Sequence, residues 1–209
     1  MRSIYLEWGY SMNDRFWELK KEKQDRMINS ALKVFSQYGY KHASTDEIVK
    51  GAGISKGLLF HYFESKIGLY AFLYDYATRF VALELTNVEK DEDRYYELYK
   101  QILFAKANSM SQYPYIFLFL NKADKETDNN ALSVISERRE KYQRILHALR
   151  ERADITTFAP GIDYEKVGVI LDYTIDGLIQ KSVLSENFRA DFFLEEATEY
   201  VDMMQKMTS

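Results

Sequence analysis

Two glycines on either side of one alanine, Gly51-Ala52-Gly53, interrupt the stretch STDEIVKGAGISKGLLFHYFESK that runs from Ser44 to Lys66. Glycine tolerates the left-handed backbone of a sharp turn between helices, so a helix that enters from Ser44 must end there. Ser44 or Thr45 caps its start by accepting from an orphan amide, and Asp46 and Glu47 occupy the first turn, where negative charge is favoured. Ser55 supplies a second cap just after the apolar Ile54. The helix it opens carries Leu59 and Phe63 four residues apart, on one face, ready to bury against Ile48. Lys56, Gly57, Leu58, His61 and Tyr62 are left on the other faces.

An apolar inner stripe beneath a surface of lysine, glycine and a His-Tyr pair suits a helix laid in the major groove of DNA. Gly57 lets the backbone approach the groove wall, Lys56 can donate to guanine or phosphate, and Leu58 can touch a thymine methyl. Ser65 caps a third helix with Lys66 at its start, a combination that favours phosphate. The plainer alternative is an ordinary helical hairpin with a solvated face.

Upstream, Met27, Ile28, Ala31, Leu32, Phe35 and Tyr38 form an apolar helical stripe that ends at Gly39 and Tyr40. Taken with ALKVFSQYGYKHAST, DEIVKGAGISKG and LLFHYFESKIGLY, residues 23 to 73 resemble the N-terminal domain of the TetR family of bacterial transcriptional regulators. The resemblance implies that Thr45, beside Ser44, touches phosphate. It places Ser55, Lys56, Gly57 and Leu58 against the bases, and His61, Tyr62 and Lys66 on the backbone. Two positions depart from the common pattern. Leu58 stands where a small polar residue such as Thr is frequent, which suggests another base preference. Phe60 stands where Tyr is frequent, and its ring has no donor for phosphate. Beyond Leu73 the resemblance supplies only an expected architecture.

A chain of 209 residues, 46% hydrophobic, can bury a sizeable core. No cysteine is present, so neither a disulfide framework nor a thiolate metal site can form, and this suits a reducing cytosol. No run of eighteen apolar residues occurs, and Glu7 and Asp14 interrupt any signal core, so a cytoplasmic protein without a membrane partner is expected. The net charge is −4, but it is polarised. Residues 1 to 70 hold 11 Lys and Arg against 8 Asp and Glu, and the remainder holds 17 against 24. A basic head on an acidic body would turn its head to DNA. Residues 1–22 read as an extension, and Lys20 and Lys21 at its end, with the adjoining Lys23, form either an arm that reaches phosphate or a solvated helix face.

The expected fold is all-α. A helix-turn-helix head over residues 23–66 is followed by a helical effector-binding and dimerisation domain over 67–209. Apolar spacing marks a long fourth helix (Leu69, Phe72, Leu73, Tyr76, Phe80, Leu83) and a fifth (Leu98, Ile102, Ala105) that ends before Pro114. Tyr115 to Leu120 is a short apolar element, Asn121 to Asn130 a loop, and Leu132 to Leu149 another helix. On the last two helices, Val167, Leu171, Thr174 and Leu178, with Phe193, Ala197, Tyr200 and Met204, form stripes suited to a homodimer seam or equally to intrachain core. Phe72, Tyr76, Phe104, Tyr113, Phe117, Tyr142 and Tyr173 are candidates to line an effector pocket. Asp172 and Asp176, one turn apart, are its polar candidates, or else an ordinary solvated pair.

His42, His61 and His147 are scattered, no metal-spaced histidine pair or P-loop is present, and neither catalysis nor a cofactor is expected. The resemblance implies a repressor that binds a palindromic double-stranded operator as a homodimer and is released by an unknown small-molecule effector. The alternative is a helical protein-interaction adaptor that does not bind DNA.

Overall fold

The computed structural model describes residues 14–185 and 187–209. A single 3-10 turn, Asp14–Phe16, precedes α1 (Lys21–His42), α2 (Thr45–Ala52), α3 (Lys56–Phe63), α4 (Lys66–Leu85), α5 (Tyr95–Gln112), α6 (Ile116–Asp124), α7 (Asn129–Glu151), α8 (Tyr164–Val183) and α9 (Ala190–Thr208). Among the described residues there is no strand, and no helix is long and apolar enough to cross a membrane. The chain is all-α, as its periodicity requires.

Packing divides it into a head, the residues up to Tyr76 together with Phe119–Ser136, and a body, Ala77–Leu118 with Glu137–Ser209. This division differs from the expected boundary at residue 66. Ten more residues of α4 pack with the head, because Leu69, Tyr70, Phe72, Leu73, Tyr74 and Tyr76 are all buried. The boundary drawn at residue 22 also moves. Phe16 is 0% exposed, so the end of the presumed extension is part of the head. Residues 1–13, including Glu7, lie outside the described residues.

In the head, α1 packs on α2 and α2 on α3. Met27, Ile28, Ala31, Leu32 and Phe35 line the buried face of α1, as their spacing demands. Phe35 meets the rings of Tyr70 and Phe119 edge-on or tilted, with centroids 5.1 and 6.3 Å away. The helical backbone breaks at Gly39, whose φ of 67° only glycine adopts without strain.

The loop expected over Asn121–Asn130 is confined to residues 125–128. Burial of Phe119, Leu120 and Ala123 carries α6 through the polar Asn121-Lys122 pair, so tertiary packing overrides local polarity. The short turn is stitched by two carboxylates. Asp128 Oδ1 accepts from the amides of Asn130 and Ala131 and caps α7. Glu126 accepts from the amides of Thr127 and Asp128 and, across 86 residues, from Tyr40 at 3.1 Å. Burial opposes ionisation of Glu126, but the Asp128, Tyr40 and Thr127 amides outweigh it and hold the carboxyl below its ordinary pKa. A lowered folded pKa stabilises above the ordinary carboxylate range, and that contribution fades as pH falls through the folded value. Glu126→Gln is therefore expected to cost about 1 kcal/mol near neutrality, with the deficit in melting temperature closing in acid. A deficit that stays constant from pH 7 to pH 3 would contradict this role for the ionised form.

In the body, α9 packs against α5 and α8. Phe193, Ala197 and Val201 supply its buried side, and the Tyr96 and Thr208 hydroxyls hydrogen-bond to each other within the core. Glu92 is tied to Arg94, and the Arg152 guanidinium donates to the carbonyls of Glu89, Lys90 and Glu92, which fastens the segment that leads into α5.

Candidate nucleic-acid interface

Both predicted caps form. Ser44 Oγ accepts from the Glu47 amide at 3.4 Å and Ser55 Oγ from the Leu58 amide at 3.2 Å. Between them Gly53 takes the left-handed conformation, φ 64° and ψ 42°, and the Ile54 amide reaches back to the Val49 carbonyl. Gly51 does a different job from the one its spacing suggests. It is helical, and a Cβ there would lie 2.4 Å from Ser30 Oγ, which donates to the Ile48 carbonyl. The glycine therefore permits a close approach of α1 to α2. Beneath the turn Ile48, Leu59 and Phe63 are 0%, 1% and 5% exposed, the sealed inner stripe expected of them.

The outer surface of α3 presents Lys56, Gly57 and His61 to solvent behind the exposed cap Ser55, with Leu58 and Phe60 half-buried and Ser44 and Thr45 half-buried beside them. A Cβ on Gly57 would meet nothing within 4 Å. The glycine is not needed for packing, which leaves the space above it open. Lys56 is not idle in the free protein. Its ammonium pairs with Asp46 at 2.9 Å, both side chains largely solvated, so the pair contributes little stability.

Two of the expected backbone-holding residues are more engaged than their sequence positions suggest. Tyr62 is half-buried, its ring 5.8 Å from that of Phe16. Lys66 donates to the Lys41 carbonyl at 3.1 Å and its ammonium stands 4.9 Å from the Tyr40 ring. Burial lowers the Lys66 pKa, with Asp128 pulling the other way. The ammonium thus already caps the carbonyl end of α1.

The link between α3 and α4 is the tightest in the head. Glu64 has φ 61° and ψ −45°, and the Ser65 amide bonds the Phe63 carbonyl at 2.6 Å, a three-residue turn of the strained kind. Ser65 Oγ then accepts from the Gly68 amide at 3.1 Å, the cap expected of it. Nothing in the local sequence marks Glu64 as a position of positive φ.

The effector and seam residues divide by burial. Tyr113, Phe117 and Tyr142 are buried in the body. Phe72 and Tyr76 belong to the head, where they pack with Phe16 and Trp17, and so do not line the body. Phe104 and Tyr173 face outward, 53% and 76% exposed, because their helical positions fall opposite the buried stripes of α5 and α8. Asp172 accepts from Arg150 at 2.6 Å and from the Tyr99 hydroxyl at 3.0 Å, while Asp176 is exposed. Burial, reinforced by Asp172, raises the Tyr99 pKa, and burial pushes Tyr95 up to about 12.

Of the residues expected at a dimer seam, Val167, Leu171, Leu178, Phe193 and Ala197 are buried within the chain itself. Thr174 and Met204 are half-buried, and Tyr200 is exposed. Apolar side chains left to solvent include Val169, Ile170 and Tyr173 on α8, and Phe192, Tyr200, Met203 and Met207 on α9.

A capped helix, a left-handed glycine and a second capped helix with an open outer face, on an all-helical chain, define a helix-turn-helix unit. Residues 27–72 match the family described as bacterial regulatory proteins, tetR family. That match is confined to the head and takes in α2, α3 and the start of α4. The chain is 37% identical over 73 residues to the HTH-type transcriptional regulator YuxN of Bacillus subtilis, a match covering 35% of this chain and 25% of that protein. It is 23% identical over 118 residues to IcaR of Staphylococcus aureus, a negative transcriptional regulator of the biofilm operon icaADBC, covering 54% and 62%. The matches thus span less than two thirds of these relatives. Among solved structures, the TetR family regulator PfmR of Thermus thermophilus superposes with a TM-score of 0.60 at 21% identity, covering 87% of this chain and 97% of that one. A TetR family regulator of Chloroflexus aurantiacus gives 0.58 at 16%, covering 94% and 98%. These two likenesses concern the fold.

Proposed function

We propose that the chain is a repressor that binds a palindromic operator as a homodimer, reads it with α3, and releases it when a small molecule binds the body. The observation that carries this reading is the bare surface over Gly57, flanked by Lys56 and His61 and backed by a sealed apolar stripe. Ser44, Thr45, Ser55, Lys56, Gly57, Leu58, His61, Tyr62 and Lys66 make up the reading surface. Negative control is supported by the likeness to IcaR. The exposed apolar faces of α8 and α9 support a two-fold seam, since patches of this kind mark association surfaces. Buried Tyr113, Phe117 and Tyr142, with the Asp172 cluster, support a binding role for the body.

The test begins by selecting duplexes from a randomised pool with the intact chain and measuring binding against salt. A palindromic preference with affinity that falls steeply as salt rises is expected. Selection of no sequence would favour the protein-interaction adaptor. Gly57→Ala sharpens the test. Nothing obstructs the new methyl, and alanine is the better helix former, so the fold should hold or gain up to about 1 kcal/mol. Affinity for the selected duplex should fall at least tenfold, because the methyl stands between backbone and groove wall. Unchanged affinity would remove Gly57 from the reading surface.

A further inference from the structure

Phe16 packs on both helices of the α3–α4 joint from outside it. It is fully enclosed, with its ring centroid 5.8 Å from Tyr62 and 5.2 Å from Phe63 on the last turn of α3, and 5.3 Å from Phe72 on α4. Trp17 extends the contact along α4, 6.0 Å from Phe72 and stacked 6.1 Å from Tyr76. A third helix holds this segment in place. Gln24 of α1, 6% exposed, donates through Nε2 to the Trp17 carbonyl at 3.2 Å and the Leu19 carbonyl at 2.9 Å. Both residues of the hook and its latch lie outside the stretch that matches the family, residues 27–72.

Enclosure of this kind has a mechanical effect. The strained turn at Glu64 fixes where α3 ends but leaves its last turn dependent on side-chain packing. Phe63 anchors that turn from the inside. Phe16 closes over it from the side and presses the Tyr62 ring edge-on at 70°. A contact residue must be held within roughly 0.5 Å and 10–20° to make its bonds well.

We propose that the Phe16-Trp17 segment is a positioning element for the recognition helix: by packing on Tyr62, Phe63 and Phe72 it sets the pose in which α3 meets its operator. The inference rests on the operator reading above. Phe16 touches no nucleic acid. It acts on specificity by fixing the pose of α3, whose Ser55, Lys56, Gly57 and Leu58 are the base-facing residues of the operator reading, whereas charge-driven attraction to arbitrary DNA depends on net charge and tolerates many poses.

The test uses the full chain and two duplexes, one selected from a randomised pool by the intact protein and one of unrelated sequence. Phe16→Ala is expected to lose at least tenfold in affinity for the selected duplex and less than twofold for the unrelated one. Phe16→Leu, which refills most of the space, should restore most of the discrimination. Gln24→Met removes the latch and spares the aromatic packing, and it should lose discrimination by roughly threefold. Measured in a Trp8→Phe background, Trp17 emission should shift to the red in Phe16→Ala and in Gln24→Met as the indole meets water. If Phe16→Ala loses helical circular dichroism, Gln24→Met decides the matter. Full discrimination in Gln24→Met with a red-shifted Trp17 would overturn the proposal, as would equal losses on both duplexes from a folded Phe16→Ala. An intact chain that selects no sequence would end the operator reading and this inference with it. Selection by the intact chain, matched by Phe16→Ala, would end this inference alone.

Discussion

Gly68→Ala is expected to destabilise the head by about 3 kcal/mol, as overpacking against an immobile atom does. A Cβ at this position would lie 2.2 Å from the Phe63 carbonyl oxygen, which is backbone and cannot rotate away. The same carbonyl closes the Glu64 turn through its bond to the Ser65 amide. Relief must come from moving α3 against α4, and that movement unseats Phe63 and Phe72, whose rings pack 4.9 Å apart. Thermal melts followed by circular dichroism should show an early transition assigned to the head, and sequence-selective binding should be lost well below the body's own transition. A single unshifted melt would show that the turn yields without cost. Gly57→Ala, the same substitution eleven residues earlier, has open space to enter and should show no such loss.

Ile170→Asp combined with Tyr173→Glu is expected to halve the mass in solution and to lower operator affinity by about 10² to 10⁴, the usual worth of a second tethered contact. Both side chains are half or more exposed in the single chain, so the new carboxylates meet water and the subunit's melting temperature should hold. Leu171→Asp is the control. That residue is 1% exposed, and a carboxylate there should unfold the body. Sedimentation of the double variant as a dimer would place the seam elsewhere.

The head is readable in the sequence because its signals are local. Ser44, Ser55 and Ser65 each cap the helix they precede, and Gly53 turns left-handed where two glycines bracket an alanine. The long-range features are not readable. Phe16 sits in a stretch that mixes aromatics with charge and shows no helical periodicity, so nothing local singles it out for burial. The bond from Tyr40 to Glu126 spans 86 residues, a separation that local patterning does not reach. On α8, Val167, Leu171 and Leu178 carry the correct helical stripe, but spacing alone does not say whether such a stripe meets its own chain or another. Leu171 at 1% exposure and Ile170 at 50% separate the two faces by one residue. Phe72 and Tyr76 follow the helix-turn-helix in sequence, which assigns them to the body, yet the rings of Phe16 and Trp17 draw them back into the head.

If the operator reading holds, the pairing of Lys56 with Asp46 bears on how the chain would scan a chromosome. A lysine already neutralised by its own aspartate gains only the difference when it swaps that partner for a phosphate. Under the operator reading, an isolated phosphate therefore offers Lys56 little beyond what Asp46 already gives it. A site whose base edges also accept the lysine's protons repays the exchange, so residence is lengthened chiefly at addresses that match.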